Sequence, residues 1–355
     1  MLAAIGQARH SVELEIYIYA DDEIGRRFLA ALTKAAKRKV RVRVLADAYG
    51  SLTLSKNFFA PLLQAGGEAR FFNPLRFSRF GVRDHRKLLV CDRQTAFIGG
   101  ANICESYDGD GVTQGWFDLM VKIEDAGLAS HLAEEFDQTF SNAAFEHGRF
   151  RRLRVFRRFR RRTDDTQIFA VRPGRGAGSF QRALQQELAR ARSADFIVPY
   201  FLPSRRLRKL IKQIVRRGGR VRLILPALCD VPLARAAGLI YYPRLLRAGV
   251  EIYEYQPQIL HTKLCLVDEK VFAGSSNLDV RSFKMNYELM LRFNDPATVA
   301  GAKEIFSEAL KHSRRIELKA FRRSQNFWRR WKNYWAHFLV ARIDPLVALR
   351  QLGKQ

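Results

Sequence analysis

The sequence predicts an α/β protein built twice over, two homologous α/β repeats followed by an amphipathic helical tail. Three observations carry this expectation. The segment His85-Arg86-Lys87, four residues, Asp92 recurs 176 residues later as His261-Thr262-Lys263, four residues, Asp268. Helix-like stretches alternate with short apolar runs in the same order in both halves. At 355 residues the chain exceeds one typical domain, and a 47% hydrophobic composition can fill two sizeable cores.

The elements follow in chain order. Ala8-Arg9 and the run Leu14-Glu15-Ile16-Tyr17 are matched by Ala191-Arg192 and Val198-Pro199-Tyr200-Phe201. Residues 24–37 have helical spacing and precede a strand-like run at 40–45, as residues 205–217 precede 220–225. The strand Arg41-Val42-Arg43-Val44-Leu45 is matched by Arg220-Val221-Arg222-Leu223-Ile224. These pairs are offset by 183 and 179 residues against 176 for the motif, so the halves differ by small deletions in loops. Residues 85–91 and 261–267 fall on central strands, each turning at its aspartate and returning as 95–98 or 271–273. Asp92 and Asp268 are then structural turn residues, since a carboxylate seven positions past the histidine lies on the opposite strand face, ~20 Å away. An apolar strand pattern at 167–172 precedes the second repeat's helix with nothing equivalent before the first, which suggests a natural start upstream of Met1, because an uncovered strand edge is an aggregation hazard.

Residues i and i+2 of a strand share a face, so His85 with Lys87, and His261 with Lys263, project together while Arg86 and Thr262 face away. Each acidic turn is followed by small residues ending in asparagine, Gly99-Gly100-Ala101-Asn102 and Gly274-Ser275-Ser276-Asn277, which would let backbone N–H groups approach an anion. Two histidines, two lysines and two asparagines converging on one phosphodiester would neutralise it and supply a nucleophile and a general acid with no metal and no cofactor. One His-x-Lys on a basic strand arises easily by chance. Two copies at matched spacing, in a chain with seven histidines, do not. From His85 to Gly99 is fourteen positions and from His261 to Gly274 thirteen, so the second hairpin has lost a residue, expected in the Asp268-Glu269-Lys270 turn.

These residues resemble the HKD motifs of the phospholipase D superfamily, and Gly274-Ser275-Ser276-Asn277-Leu278-Asp279-x-Arg281-Ser282 is similar to its bacterial cardiolipin synthase branch; the resemblance spans nearly the whole chain. It implies phospholipase D-like α/β sandwich repeats packed as a pseudo-twofold bilobal unit. It also implies a membrane-surface phosphatidyltransferase that makes cardiolipin from phosphatidylglycerol through a phosphatidyl-histidine, with His85 favoured as nucleophile and His261 as acid and base. Lys87 and Lys263 join them in the catalytic set, Asn102, Ser276 and Asn277 hold phosphate, and Gly99, Gly100 and Gly274 shape the motif. Relatives place a carboxylate against the imidazole, and that role falls on Asp118, 33 residues after His85, and on Glu288, 27 after His261.

On this reading residues 1–148 form the first repeat, 149–166 a basic linker, 167–313 the second repeat and 314–355 the tail. The net charge of +27 calls for an anionic partner. Nine arginines and no acid lie between 149 and 162, and eight basic residues face one acid between 321 and 355. In the tail Phe327, Trp328, Trp331, Tyr334, Trp335, Phe338 and Leu339 recur at helical spacing, with Arg329, Arg330 and Lys332 beside them, the pattern of a helix lying in the interface of an anionic bilayer. The plainer alternative packs this stripe on the enzyme body. No apolar run approaches the ~20 residues of a bilayer span, and the expected place is peripheral, at the cytoplasmic face of the bacterial inner membrane. Cys91, Cys104, Cys229 and Cys265 show neither metal spacing nor a disulfide framework. A phosphodiesterase or nuclease is the competing class, disfavoured by the second motif and the tail. A non-catalytic scaffold is disfavoured because both motifs are intact.

Overall fold

The computed structural model describes residues 1–74, 81–143, 165–173 and 178–340; the arginine run at 149–162 and the last stretch of the tail, 341–355, lie outside the described residues. The first repeat runs α1 (Leu2–Gln7), β1 (Ser11–Ile16), α2 (Glu23–Lys37), β2 (Arg41–Asp47), α3 (Ala60–Gln64), β3 (Glu68–Phe72), β4 (Leu88–Cys91), β5 (Thr95–Gly99), β6 (Met120–Ile123) and α4 (Ala126–Ser141). The second runs β7 (Thr166–Val171), α5 (Ser179–Arg190), β8 (Ser193–Ile197), α6 (Arg205–Arg216), β9 (Arg220–Pro226), α7 (Pro232–Leu239), α8 (Tyr242–Leu246), β10 (Glu251–Tyr255), β11 (Leu264–Val267), β12 (Lys270–Gly274), α9 (Val280–Lys284), β13 (Glu288–Phe293), α10 (Pro296–Lys311) and β14 (Ser313–Arg315). The tail forms two helices, α11 (Leu318–Ser324) and α12 (Phe327–Phe338).

Strand order exposes the duplication. The first sheet is β3-β2-β1-β4-β5-β6 and the second repeats that order as β10-β9-β8-β11-β12-β13, with β14 added beyond β10 and β7 beyond β13. Among the described residues β6 is therefore an edge, while its counterpart β13 is covered by β7. In each sheet three parallel strands meet an antiparallel hairpin, the geometry that helical crossovers and a tight turn produce respectively.

Three apolar layers result from strand alternation. Leu88 and Val90 of β4, with Leu264 and Leu266 of β11, enter one core shared by both sheets and lined by α4 and α10. Their neighbours face outward: Leu89 and Cys91 join the α1–α2 layer, and Cys265 and Val267 the α5–α6 layer. Each fully buried Leu or Val contributes about 1.5–3 kcal/mol, so slipping either hairpin by one residue would exchange both layers at once. The helices have local causes as well. Asp22 caps α2 by accepting from the Gly25 N–H at 2.8 Å, and Lys34 and Lys37 complement the dipole at its other end.

The two hairpin turns differ by one residue, Asp92-Arg93-Gln94 against Asp268-Glu269, so the shortening falls in the turn itself. Asp92 and Asp268 sit at φ +54 and +48. Asp92 accepts from the backbone N–H groups of Arg9, His10 and Ser11, and Asp268 from those of Arg192 and Ser193. Each carboxylate thus ties its turn to the start of the neighbouring parallel strand, at the end of the sheet away from the histidines.

Candidate active site

The ladders begin at Leu88 and Leu264, so His85 to Lys87 and His261 to Lys263 are extended segments just ahead of β4 and β11 rather than parts of them. What replaces the ladder is the other repeat. The His85 N–H donates to the Tyr287 carbonyl at 3.0 Å and the Tyr287 N–H to the Arg83 carbonyl at 2.9 Å. Symmetrically, the His261 N–H donates to the Phe117 carbonyl at 2.9 Å and the Phe117 N–H to the Ile259 carbonyl at 2.9 Å. These exchanges bring the residues that follow Phe117 and Tyr287, namely Asp118 and Glu288, to the opposite repeat's histidine.

The carboxylates are consequently crossed. Glu288 Oε2 lies 3.1 Å from His85 Nδ1, and Asp118 Oδ2 lies 2.6 Å from His261 Nδ1. In both cases Nδ1 is the ring nitrogen that meets the carboxylate. His261 Nδ1 also has Lys263 Nζ at 2.8 Å and the Tyr107 hydroxyl at 3.2 Å. One nitrogen donates one proton, and the nearest acceptor is Asp118. Lys87 Nζ donates to the His85 carbonyl at 2.8 Å, and Lys263 Nζ donates to the His261 carbonyl. Each lysine therefore reaches back along its own segment to the histidine it accompanies.

Burial sets the electrostatics. Lys87, Lys263 and Glu288 are almost wholly sequestered. Burial pulls the Lys87 ammonium down to about 7 and that of Lys263 to about 8, despite the attraction of Glu288 and Asp118. It pushes Glu288 up to about 7. Burial, then the charges of Lys87, Lys263 and His261, hold His85 well below the usual imidazole range. Burial and Lys263 lower His261, against the opposing pull of Asp118. The two histidines and two lysines from separate repeats act on one another's titration, which makes them one electrostatic unit.

The small residues also shape the sheet. The Gly100 N–H donates to the Leu119 carbonyl and the Ser275 N–H to the Leu289 carbonyl, so these groups are committed to the sheet. A Cβ on Gly100 would lie 2.3 Å from an Asp118 carboxylate oxygen; on Gly99 it would meet the Leu119 carbonyl at 2.0 Å, and on Gly274 the Leu289 carbonyl at 2.2 Å. The glycines make room for the strands that carry the carboxylates. Asn102 stands behind the histidine: its Oδ1 accepts from the Ile18 N–H at 3.0 Å and its Nδ2 donates to the Tyr107 hydroxyl at 2.9 Å. Ser276 Oγ donates to the Asn277 carbonyl at 3.2 Å, while Asn277 Oδ1 is buried with no hydrogen-bond partner among the described residues.

Tyr107 and Ser275 complete the site without having been singled out as site residues. Ser275 Oγ donates to Glu288 Oε2 at 2.5 Å, fixing the carboxylate that faces His85. Tyr107 and Trp116 stand 5.4 and 5.5 Å from the His261 ring, and Tyr200 at 6.5 Å, whereas His85 has Tyr17 at 5.0 Å. The Tyr200 hydroxyl in turn donates to Asp230 at 2.6 Å, on the loop after β9. Nothing in the spacing of Tyr107 marks it, because a short 3-10 turn, Glu105–Tyr107, carries it to the site.

Comparison with known proteins identifies the family. The family described as "Cardiolipin synthase, PLD-like domain" matches residues 1–140 and 184–310. Cardiolipin synthase 1 of Bacillus anthracis is 32% identical over 337 residues, 91% of this chain, which spans 66% of that relative's length. Cardiolipin synthase B of Salmonella typhi is 33% identical over 301 residues, 82% of this chain and 72% of that protein. Among solved structures, phosphatidylserine synthase of Haemophilus influenzae Rd KW20 superposes with a TM-score of 0.74 at 16% identity, covering 98% of this chain and 92% of that one, a likeness of fold. With two intact His-x-Lys motifs in two sheets of one strand order, the chain belongs to the PLD-like domain family of the cardiolipin synthases.

Proposed function

We propose that the protein is a phosphatidyltransferase that joins two phosphatidylglycerol molecules into cardiolipin and releases glycerol. The observation that carries this is the crossed pair of imidazole–carboxylate contacts, which provides two differently held histidines around one cationic pocket. His85 is neutral and acts as nucleophile: Nδ1–H donates to Glu288 and Nε2 attacks phosphorus. The P–O bond to the glycerol headgroup breaks, and His261, protonated at Nε2, gives its proton to the departing oxygen. Lys87 and Lys263 neutralise the phosphoryl oxygens. A second phosphatidylglycerol then offers its hydroxyl to the now neutral His261, which takes the proton as the oxygen attacks phosphorus and frees His85. Water in that position would give hydrolysis, so the yield of transfer depends on what the pocket admits.

The same reading places the enzyme on an anionic bilayer surface. In the tail, α12 buries Asn333 and Ala336 against the second repeat, and His337 Nε2 meets the Tyr241 hydroxyl at 2.7 Å, while Trp328, Trp331, Tyr334 and Trp335 stay exposed. The stripe thus points away from the body, with Arg329, Arg330 and Lys332 on the same helix. Among the described residues no helix is long and apolar enough to cross a membrane. The test is product analysis by mass spectrometry after incubation with phosphatidylglycerol vesicles. Cardiolipin with equimolar glycerol is expected; phosphatidic acid alone would make the protein a hydrolase, and cleavage of nucleic acid with untouched lipid would overturn the assignment.

A further inference from the structure

Apart from Leu63, every strongly exposed large apolar side chain among the described residues falls in three segments: the loop after β2, the stretch after β9, and α12 with Leu339 just beyond it. The first two are pseudo-equivalent, each following the central parallel strand's neighbour in its repeat. The loop after β2 exposes Tyr49 and Leu52, the latter at 53%. The stretch after β9 exposes Leu228 at 52%, Val231 at 42% and, at the start of α7, Leu233 at 44%.

Both loops flank the pocket. Ser51, beside Leu52, donates its hydroxyl to the Tyr17 carbonyl at 3.2 Å, and the Tyr17 ring lies 5.0 Å from His85. Asp230, between Leu228 and Val231, accepts from Tyr200, which faces His261. The second loop runs straight into α7, the helix on which α12 packs. Apolar tips from both repeats therefore surround the mouth and adjoin the exposed aromatic stripe. Scattered exposed leucines need no explanation, but a set confined to the rim of one site does.

We propose that the loops after β2 and β9 insert their apolar tips into the outer layer of an anionic bilayer, pressing the mouth of the site against the lipid surface. This rests on the reading of the site as one that takes a lipid. The α12 stripe supplies attachment, and the loops supply orientation: with one loop from each repeat, the pocket opens onto the headgroup plane, and a phosphatidyl group reaches His85 without leaving the membrane. Charge complementarity names the occupant, since Arg322, Arg323, Arg329, Arg330 and Lys332 lie beside the stripe in a chain of net charge +27.

The experiment uses the full chain with Leu52→Ser and with the double change Leu228→Ser/Val231→Ser, α12 being left intact. Turnover is measured on short-chain soluble phosphatidylglycerol and on vesicles of phosphatidylglycerol and phosphatidylcholine, with vesicle co-sedimentation as a readout that needs no turnover. The expected result is about a tenfold rise in apparent KM on vesicles, persisting at high salt, with short-chain kcat/KM unchanged. Leu228→Phe, which enlarges the tip, should lower the vesicle KM and tests the idea should the serine variants fold poorly. Unchanged vesicle kinetics and binding in all variants would overturn the proposal, as would a serine variant that turns from dimer to monomer, since the rim would then hold a second copy. A wild-type protein that binds vesicles through these loops yet transforms no phospholipid would leave docking standing and remove the functional reading instead.

Discussion

The two half-sites present the same His and Lys to the pocket but are held from behind in opposite ways. Behind His85 lies a buried ionic assembly. Arg86, turned away from the pocket, meets Thr139 Oγ1 at 3.0 Å, Glu135 at 3.4 Å and Glu15 at 3.7 Å. Asp47 accepts from the Asp84 N–H at 2.9 Å and pairs with Arg83 at 3.5 Å. Burial raises both Asp84 and Glu15, and the charge of Glu15 raises Asp84 further, while Arg86 pulls both back down. Behind His261 the matching positions are Thr262, Ile197, Leu260 and Pro226, in place of Arg86, Glu15, Asp84 and Asp47; the strand registers align Glu15 with Leu88 and Ile197 with Leu264. Thr262 needs only the Phe117 carbonyl, at 2.9 Å. The inward face carries the same His and Lys in both repeats, and the hidden face is solved by ions in one and by hydrocarbon in the other.

Four measurements would break or sharpen this contrast. The largest effect is expected at the histidines: His85→Ala and His261→Ala should each lower kcat about a thousandfold or more, with the double variant little worse, because they act as a unit. Rapid quench into alkaline denaturant, in which the P–N bond survives, should find a phosphatidylated histidine in the His261 variant and none in the His85 variant; the reverse outcome exchanges their roles. Next, Arg86→Ala should destabilise the fold by about 3–5 kcal/mol, leaving buried carboxylates uncompensated, and Thr262→Val by about 1 kcal/mol. Equal costs in denaturant titrations would show that the two supports are energetically alike after all.

Glu288→Gln and Asp118→Asn should each reduce kcat about a hundredfold through loss of the imidazole's orienting partner. Because the carboxylates are crossed, Glu288→Gln should weaken attack by His85, and Asp118→Asn, acting through the acid and base His261, should slow both formation and consumption of the phosphohistidine; single-turnover traces with the opposite assignment would refute the crossing as a functional arrangement. The smallest effect is with pH. The lysines of the free enzyme lose their protons as pH rises through about 7 and 8. Their positive charge is therefore present below that range, and kcat/KM should fall on the alkaline side. A bound phosphate raises both lysines, so kcat should persist to higher pH. Parallel declines in the two parameters would remove the lysines from phosphate binding.

Much of this was legible in the chain. Repetition at fixed spacing located both motifs, and strand parity predicted that Arg86 and Thr262 would face away. The turn roles of Asp92 and Asp268 followed from distance along a strand. Three things were hidden, each for a physical reason. The crossing depends on which repeat the Phe117 and Tyr287 backbones pair with, and periodicity carries no information about that. The neighbours that press on the glycines could not be named, because a missing Cβ looks the same from sequence whichever group fills the space. Glu15 and Asp84 were not marked as buried acids, since a buried charge is recognisable only once its partner is known.

The crossing has a consequence for a cell that makes such a protein. A ribosome delivers His85 long before Glu288 exists, and Asp118 long before His261, so a half-made chain has an unsupported imidazole and an idle carboxylate. On the proposed mechanism neither half-site is complete until both repeats have been made and docked, so the half-made chain lacks the paired imidazole and carboxylate that the reaction uses.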